Sequence, residues 1–287
     1  LGNHYALENL IRANELGLRE KKKIFLIMPS NTKLRNSTLT KYFKKYINII
    51  KGDDLYVKGS YSETNYDRTS LDSILTLPLG TCLPLKNEYV PSDIGANRCE
   101  KEFQNRKLNN PTFKLDQEDY EEGKKALKKF GLPDNAWYVT LHVREPGYRN
   151  ETVKNTTENF RNCNPLNYIK AIKKVISAGG WVFRMGDSSM TPLPKMNQLI
   201  DYAHSPLKSE QLDIFLLASS KFLIGTSSGP LRVPSFFGVP IMLTNNIRHQ
   251  QYYSLKDKDL YLPRLIKKIS DRKNLKLEQM LSMPINL

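Results

Sequence analysis

From residue 133 onward, short β-rich apolar runs alternate with amphipathic stretches, a pattern that predicts strands separated by helices. A strand is predicted over 136–143, then a helix over 165–179 whose Tyr168, Ile169, Ile172, Val175 and Ile176 recur at spacings of three and four. Gly179 and Gly180 stop that helix. A strand over 181–186 follows. A helix over 193–204, with Met196, Leu199 and Ile200 on one face, leads to another over 209–220 opened by Ser209 as N-cap. A strand over 221–226, a helical stretch over 230–238 and a strand over 240–245 complete the pattern. Strands alternating with helices at this pitch imply a parallel sheet covered on both faces, one half of a doubly wound architecture.

The first half is patterned less regularly. Its spacing predicts a helix over 6–17, a strand over 23–30, a helix over 37–50 and a strand over 53–60. Residues 61–115 are rich in Pro, Asn and Ser and carry weak signals, whereas a helix over 117–131, ended by Gly131 and Pro133, links the halves. The expected organisation is therefore a first α/β domain over 1–132, a second over 133–270 and a tail over 271–287. Two α/β domains facing across a cleft would bind ligand at the carboxyl ends of their strands.

Composition narrows the class. The 39% hydrophobic content is enough for a buried core. No apolar run reaches the ~20 residues of a membrane span. Cys82, Cys99 and Cys163 form no CxxC spacing, which points away from a zinc site or a disulfide framework and toward a reducing, cytoplasmic compartment. The sequons at Asn36, Asn150 and Asn155 are expected by chance in a chain this rich in Asn, Ser and Thr. Lys and Arg outnumber Asp and Glu by 44 to 29, a net charge of +15, so an anionic partner is expected: a phosphorylated small molecule, an acidic membrane face or nucleic acid.

The chemistry is expected where the predicted strands end. In "WYVTLHVREPGYRN", His142 and Arg144 sit two apart at the end of a strand, so they share a face. In "GTSSGPLRVPSFFG", Thr226, Ser227, Ser228 and Gly229 form a small, hydroxyl-rich turn before a helical stretch, which suits a phosphate as well as it suits an ordinary N-cap. Arg144 offers a planar fork of donors that matches phosphate oxygens. Asp187, at the end of the next strand, is placed either to accept from ribose hydroxyls or to cap its own turn. "GDD" at 52–54 reads as a turn, and no metal cluster is expected.

"LHVREPGYRN", "FRNCNPLNYIKAI", "GGWVFRMGD" and "FLIGTSSGPLRVPSFFGVPIMLTN", in that order and spacing, resemble a bacterial glycosyltransferase family of surface-polysaccharide genes. Through it the chain is similar to the GT-B-fold fucosyltransferases with an H-x-R motif. The resemblance spans 136–246. The opening "LGNHYALENLIRANELG" is similar to the loop and helix after the first strand of those enzymes, which would place the start of the chain just beyond such a strand.

The resemblance implies a GT-B-like fold of two Rossmann-like domains, with a nucleotide-diphosphate sugar as donor substrate and no further cofactor. It also implies that Arg144 contacts the diphosphate, that Thr226, Ser227 and Ser228 line it, that Asp187 lies near the nucleoside, and that His142 sits beside the donor sugar or phosphates. The loop after Arg144 is longer and more polar than in the fucosyltransferases, so the donor sugar does not carry over; Arg149 and Arg161 lie in it.

The expected reaction is metal-independent transfer of a sugar to a glycan or lipid-linked acceptor, with inversion. It requires a carboxylate base. Glu145 is the nearest by sequence, and an acidic residue of the first half is an equal candidate. A basic surface would also favour the anionic inner face of a membrane. Two rivals remain: a nucleotide-sugar 2-epimerase of the same fold, and a nucleic-acid-binding module, for which no motif is present.

Overall fold

The protein is described from a computed structural model, over residues 4–20, 23–28, 36–51, 82–86, 88–108, 110–146, 161–246, 256 and 258–282. It divides into two compact units, Leu1–Thr112 and Phe113–Leu287.

The first unit contains α1 (His4–Glu15), β1 (Ile24–Met28), α2 (Ser37–Phe43), β2 (Ile47–Lys51), β3 (Cys82–Leu85), β4 (Glu88–Pro91) and α3 (Ser92–Asn105). β1 and β2 pair in parallel from Ile24 opposite Ile47 to Met28 opposite Lys51, and β3 and β4 form an antiparallel pair. The helix predicted over 37–50 therefore stops at Phe43. Ile47, Ile49 and Ile50 lose little as a strand, because β-branched side chains pack well on a pleated surface, and β1 supplies the hydrogen bonds. Asn36, one of the three sequon asparagines, is buried; its Oδ1 accepts from the Leu39 N–H at 2.7 Å as the N-cap of α2. The strand predicted over 53–60 lies outside the described residues. α1 and α3 enclose a small core of Ala13, Leu16, Val90, Cys99 and Phe103. At its edge Arg12 is buried, donates to Glu100 Oε2 at 2.9 Å and lies 3.9 Å above the Phe103 ring.

The second unit is a Rossmann-like α/β unit. Its elements are α4 (Gln117–Lys129), β5 (Tyr138–His142), α5 (Ile169–Ser177), β6 (Trp181–Arg184), β7 (Leu199–Ile200), α6 (Glu210–Ser219), β8 (Leu223–Gly225), α7 (Arg232–Phe236), β9 (Ile241–Asn246), β10 (Leu260–Pro263) and α8 (Leu277–Leu281). Six strands form one parallel sheet in the order β10-β9-β8-β5-β6-β7. Counted within the unit this is the 3-2-1-4-5-6 order of a doubly wound sheet, in which the direction of winding reverses between the first and fourth strands. Those strands are β5 and β8. All five residues of β5 are buried, as a central strand covered on both faces requires.

The helix predicted over 193–204 does not form. Leu199 and Ile200 instead pair with Val182 and Phe183 as β7, after Gln198 turns the chain with φ 61°, and Tyr202–His204 is a short 3-10 turn. The linking helix α4 belongs to the second unit, which begins at Phe113 rather than after 132. Asp119, Gly123 and Leu127 lie on its buried face at i, i+4 and i+8. Asp119 accepts from Gln211 Nε2 at 2.9 Å, and Tyr120 meets Phe215 of α6 edge-on at 6.3 Å. No described helix is long and apolar enough to cross a membrane.

Gly123 permits this approach: a Cβ there would lie 2.1 Å from the ring of Phe215, a side chain only 1% exposed. Gly→Ala in a helix ordinarily stabilises. Here Gly123→Ala should destabilise by about 1–3 kcal/mol in a urea titration, the range of core overpacking.

Candidate functional site

The site is assembled by strand register. β5 pairs with β8 so that His142 stands opposite Gly225, and with β6 so that Leu141 stands opposite Arg184. The carboxyl ends of three neighbouring strands therefore meet at one edge of the sheet. Close packing fixes β8 there: a Cβ on Gly225 would lie 2.8 Å from Leu223 Cδ2, 3.0 Å from Leu231 Cδ1 and 3.2 Å from the His142 carbonyl oxygen. Glycine is the residue that fits.

The expected residues come together around this point. The Thr226 N–H donates to the His142 carbonyl at 3.1 Å, and the Arg144 N–H donates to Thr226 Oγ1 at 2.8 Å. His142 is buried, with Nδ1 3.3 Å from the Met185 carbonyl and Nε2 3.0 Å from Ser228 Oγ. Its imidazole thus spans the ends of β6 and β8. Burial pushes its pKa down to about 4, with the Arg184 and Arg144 charges adding to the effect, while the Met185 carbonyl and Asp187 oppose it. His142 is neutral at pH 7. Arg144 is half-buried, and its carbonyl accepts from the Cys163 N–H at 2.9 Å, which brings Cys163 beside the end of β5. Arg149 lies outside the described residues.

Ser227, Ser228 and Gly229 are half-buried and follow Thr226 directly. The helical stretch expected over 230–238 is shorter than its pattern: a 3-10 turn, Gly229–Leu231, precedes the five residues of α7. A helix this short has few aligned peptide dipoles, so the expected pull of a helix amino end on an anion is weakened. Ser228 occupies the N-cap position without a side-chain cap bond, since its hydroxyl meets His142 instead.

Asp187 folds back on its own turn, accepting at Oδ1 from the Ser189 N–H at 2.9 Å and from Ser189 Oγ at 2.5 Å. That is the capping alternative of the two open in the sequence. Glu145 is likewise engaged. It is buried, with Oε1 2.5 Å from Arg184 Nη2 and Oε2 accepting from the Thr191 N–H at 3.0 Å. A carboxylate held at both oxygens is poorly placed to take a proton from an acceptor. Its carboxylate holds the Arg184 guanidinium.

Arg184 is the residue that the sequence pattern did not single out. It is fully buried at the end of β6 and donates to Glu145, to Asp201 Oδ1 at 3.1 Å and to the Thr191 carbonyl at 3.1 Å. Asp201 also accepts from the Leu193 N–H at 2.9 Å. One guanidinium therefore ties the turn after β5 to the segment 191–201. The available signal was an arginine inside the apolar run "WVFRMG", which buried-charge energetics oblige to find acidic partners.

No family model and no curated protein matches the chain. Among solved structures it is similar to a family 9 glycosyltransferase of Veillonella parvula DSM 2008, at 13% identity and a TM-score of 0.39, over 53% of this chain and 42% of that one. It is also similar to the ADP-heptose LPS heptosyltransferase II of E. coli, at 12% identity and a TM-score of 0.38, over 60% of this chain and 49% of that one. The chain thus spans less than half the length of either. Both are glycosyltransferases.

Two outcomes follow from the geometry. Glu145→Ala leaves the buried Arg184 with one carboxylate fewer and should cost about 3 kcal/mol in a denaturant titration. His142 has a folded pKa below its unfolded value, so the unfolded chain binds the extra proton between pH 6.5 and about 4. Its contribution is complete above pH 6.5 and is lost as pH falls toward 4, by about 3 kcal/mol at most. The stability difference between wild type and His142→Gln should shrink over that window in pH-dependent melts.

Proposed function

We propose that the second unit binds the diphosphate of a nucleotide sugar at the carboxyl ends of β5 and β8, and that the protein transfers the sugar to a glycan or lipid-linked acceptor hydroxyl. The observation that carries this reading is topological. His142, Arg144 and the 226–229 turn lie at the carboxyl ends of two neighbouring strands between which the winding of a 3-2-1-4-5-6 sheet reverses. Helices on either side of that point leave opposite faces of the sheet, so a crevice opens outside the strand ends, and nucleotides bind there in sheets of this kind.

In this proposal Arg144 supplies positive charge to the diphosphate. As the glycosidic bond breaks, negative charge collects on the leaving phosphate oxygens, so a fixed donor fork gains strength in the transition state relative to the ground state. Small residues at 227–229 let backbone approach the same oxygens. The reaction inverts at the anomeric carbon, with the acceptor proton taken by a carboxylate other than Glu145, which Arg184 already holds. A lipid-linked acceptor would bring the protein to an anionic membrane face. The exposed Leu260, Leu262, Leu265 and Ile269, close in sequence to Lys267, Lys268, Arg272 and Lys273, would favour that contact.

The first experiment is a thermal-shift panel of nucleoside diphosphates and their sugars, in which one nucleotide should raise the melting temperature at concentrations above its Kd. With that donor, Arg144→Ala should lose transfer by at least about a hundredfold. Its melting temperature without ligand should stay within about 2 °C of wild type. Retained turnover removes Arg144 from the site, and isomerisation of the nucleotide sugar without acceptor would establish an epimerase instead.

A further inference from the structure

The hydrogen bonds of His142 fix the direction in which Ser228 can bond. A carbonyl oxygen has no proton to give, so in the contact with Met185 at 3.3 Å the Nδ1 of His142 is the donor. A neutral imidazole that carries its proton on Nδ1 has a bare lone pair on Nε2. The remaining contact, Nε2 to Ser228 Oγ at 3.0 Å, then requires the serine hydroxyl to donate inward. Ser228 is half-buried, and with its one proton committed its oxygen keeps a lone pair to accept with.

From this we infer that Ser228 Oγ is a one-way acceptor in the candidate site, and that the donor group it receives is a hydroxyl of the transferred sugar rather than a phosphate oxygen. The sugar assignment rests on the nucleotide-sugar reading above; the direction of the bond does not. Phosphate oxygens carry lone pairs and no proton at neutral pH, so they would meet the lone pairs of Ser228 with repulsion. A sugar hydroxyl has a proton to give. This revises the expectation that the Ser228 side chain lines the diphosphate, and it separates Ser228 from its neighbours in the same turn.

A nucleophilic serine is the other chemistry such a pair suggests, but it needs a base whose pKa lies near the operating pH. Burial holds His142 well below that range, and its outer partner is a carbonyl rather than a carboxylate. The charged groups acting on the ring are Arg184, Arg144 and Asp187. The two cations disfavour a protonated ring, and the single carboxylate is already engaged by Ser189. The pair therefore works as an orienting device at neutral pH.

Two measurements on the full chain test this. Long-range proton–nitrogen correlation spectra of histidine-labelled protein at pH 7 should show His142, identified among the four histidines by its loss in His142→Asn, with a proton on Nδ1 and none on Nε2. A proton on Nε2 overturns the inference whatever the protein binds. In calorimetric titrations with the nucleoside diphosphate and the matching nucleotide sugar from the thermal-shift panel, Ser228→Ala should leave the diphosphate within about twofold and weaken the sugar nucleotide five- to tenfold, the loss of about one hydrogen bond. Equal weakening of both ligands would make Ser228 a phosphate contact and overturn this inference alone. If neither ligand binds wild type, the nucleotide-sugar reading falls and the sugar assignment with it, while the spectra still decide the direction of the bond.

Discussion

The parallel pairing of β5 with β8 is the constraint on which the site depends. The contacts that join His142, Arg144 and Thr226 cross that pair or its continuation: His142 opposite Gly225, the Thr226 N–H on the His142 carbonyl, and the Arg144 N–H on Thr226 Oγ1. A slip of one residue would turn the His142 side chain to the opposite face of the sheet and separate it from Ser228. Register is protected by bulk on both sides of the contact, since Gly225 has no room for a side chain and β5 is buried throughout. The chemistry thus inherits its precision from backbone hydrogen bonds rather than from long flexible side chains.

Around that centre, polar groups are arranged as a chain of obligations. Arg184 is buried and must be neutralised, so Glu145 and Asp201 are drawn to it; Thr191 and Leu193 follow through their main-chain N–H groups. The result is a buried cluster that ties the turn after β5 to the segment 191–201. The same positive charge discourages protonation of His142, and the neutral ring in turn orients Ser228. The Arg184 charge and the Ser228 hydroxyl both act on this one imidazole.

The sequence made the central strands legible because each is a β-branched or aromatic run bounded by Gly, Pro or polar turn residues. Those predicted over 136–143, 181–186, 221–226 and 240–245 all exist within a few residues of their expected ends. The His142, Arg144 and 226–229 grouping was legible for the same reason, since strand ends can be counted. What failed was set by partners distant in sequence. Met196, Leu199 and Ile200 have helical spacing, yet Asp201 answers Arg184, 17 residues earlier, and Leu199 and Ile200 pair with β6. β3, β4 and α3 left little trace because their core is shared between Val90, Cys99, Phe103 and α1. Glu145 was the nearest carboxylate along the chain, and nothing near it in sequence announced the arginine on the adjacent strand.

The two margins of the six-stranded sheet differ from its centre in a way that bears on solubility. One margin, β7, is two residues long, too short to template another strand. The other, β10, leaves Leu260 and Leu262 exposed, a tempting surface for a neighbouring chain to extend. It ends at Pro263, where the pairing with β9 shifts register opposite Asn246, and proline has no N–H to offer a newcomer. The extra residue at that shift is Asn245 of β9, with φ 55°, and a bulge of this kind increases the local twist. Both borders of the sheet therefore carry features that oppose the addition of a further strand.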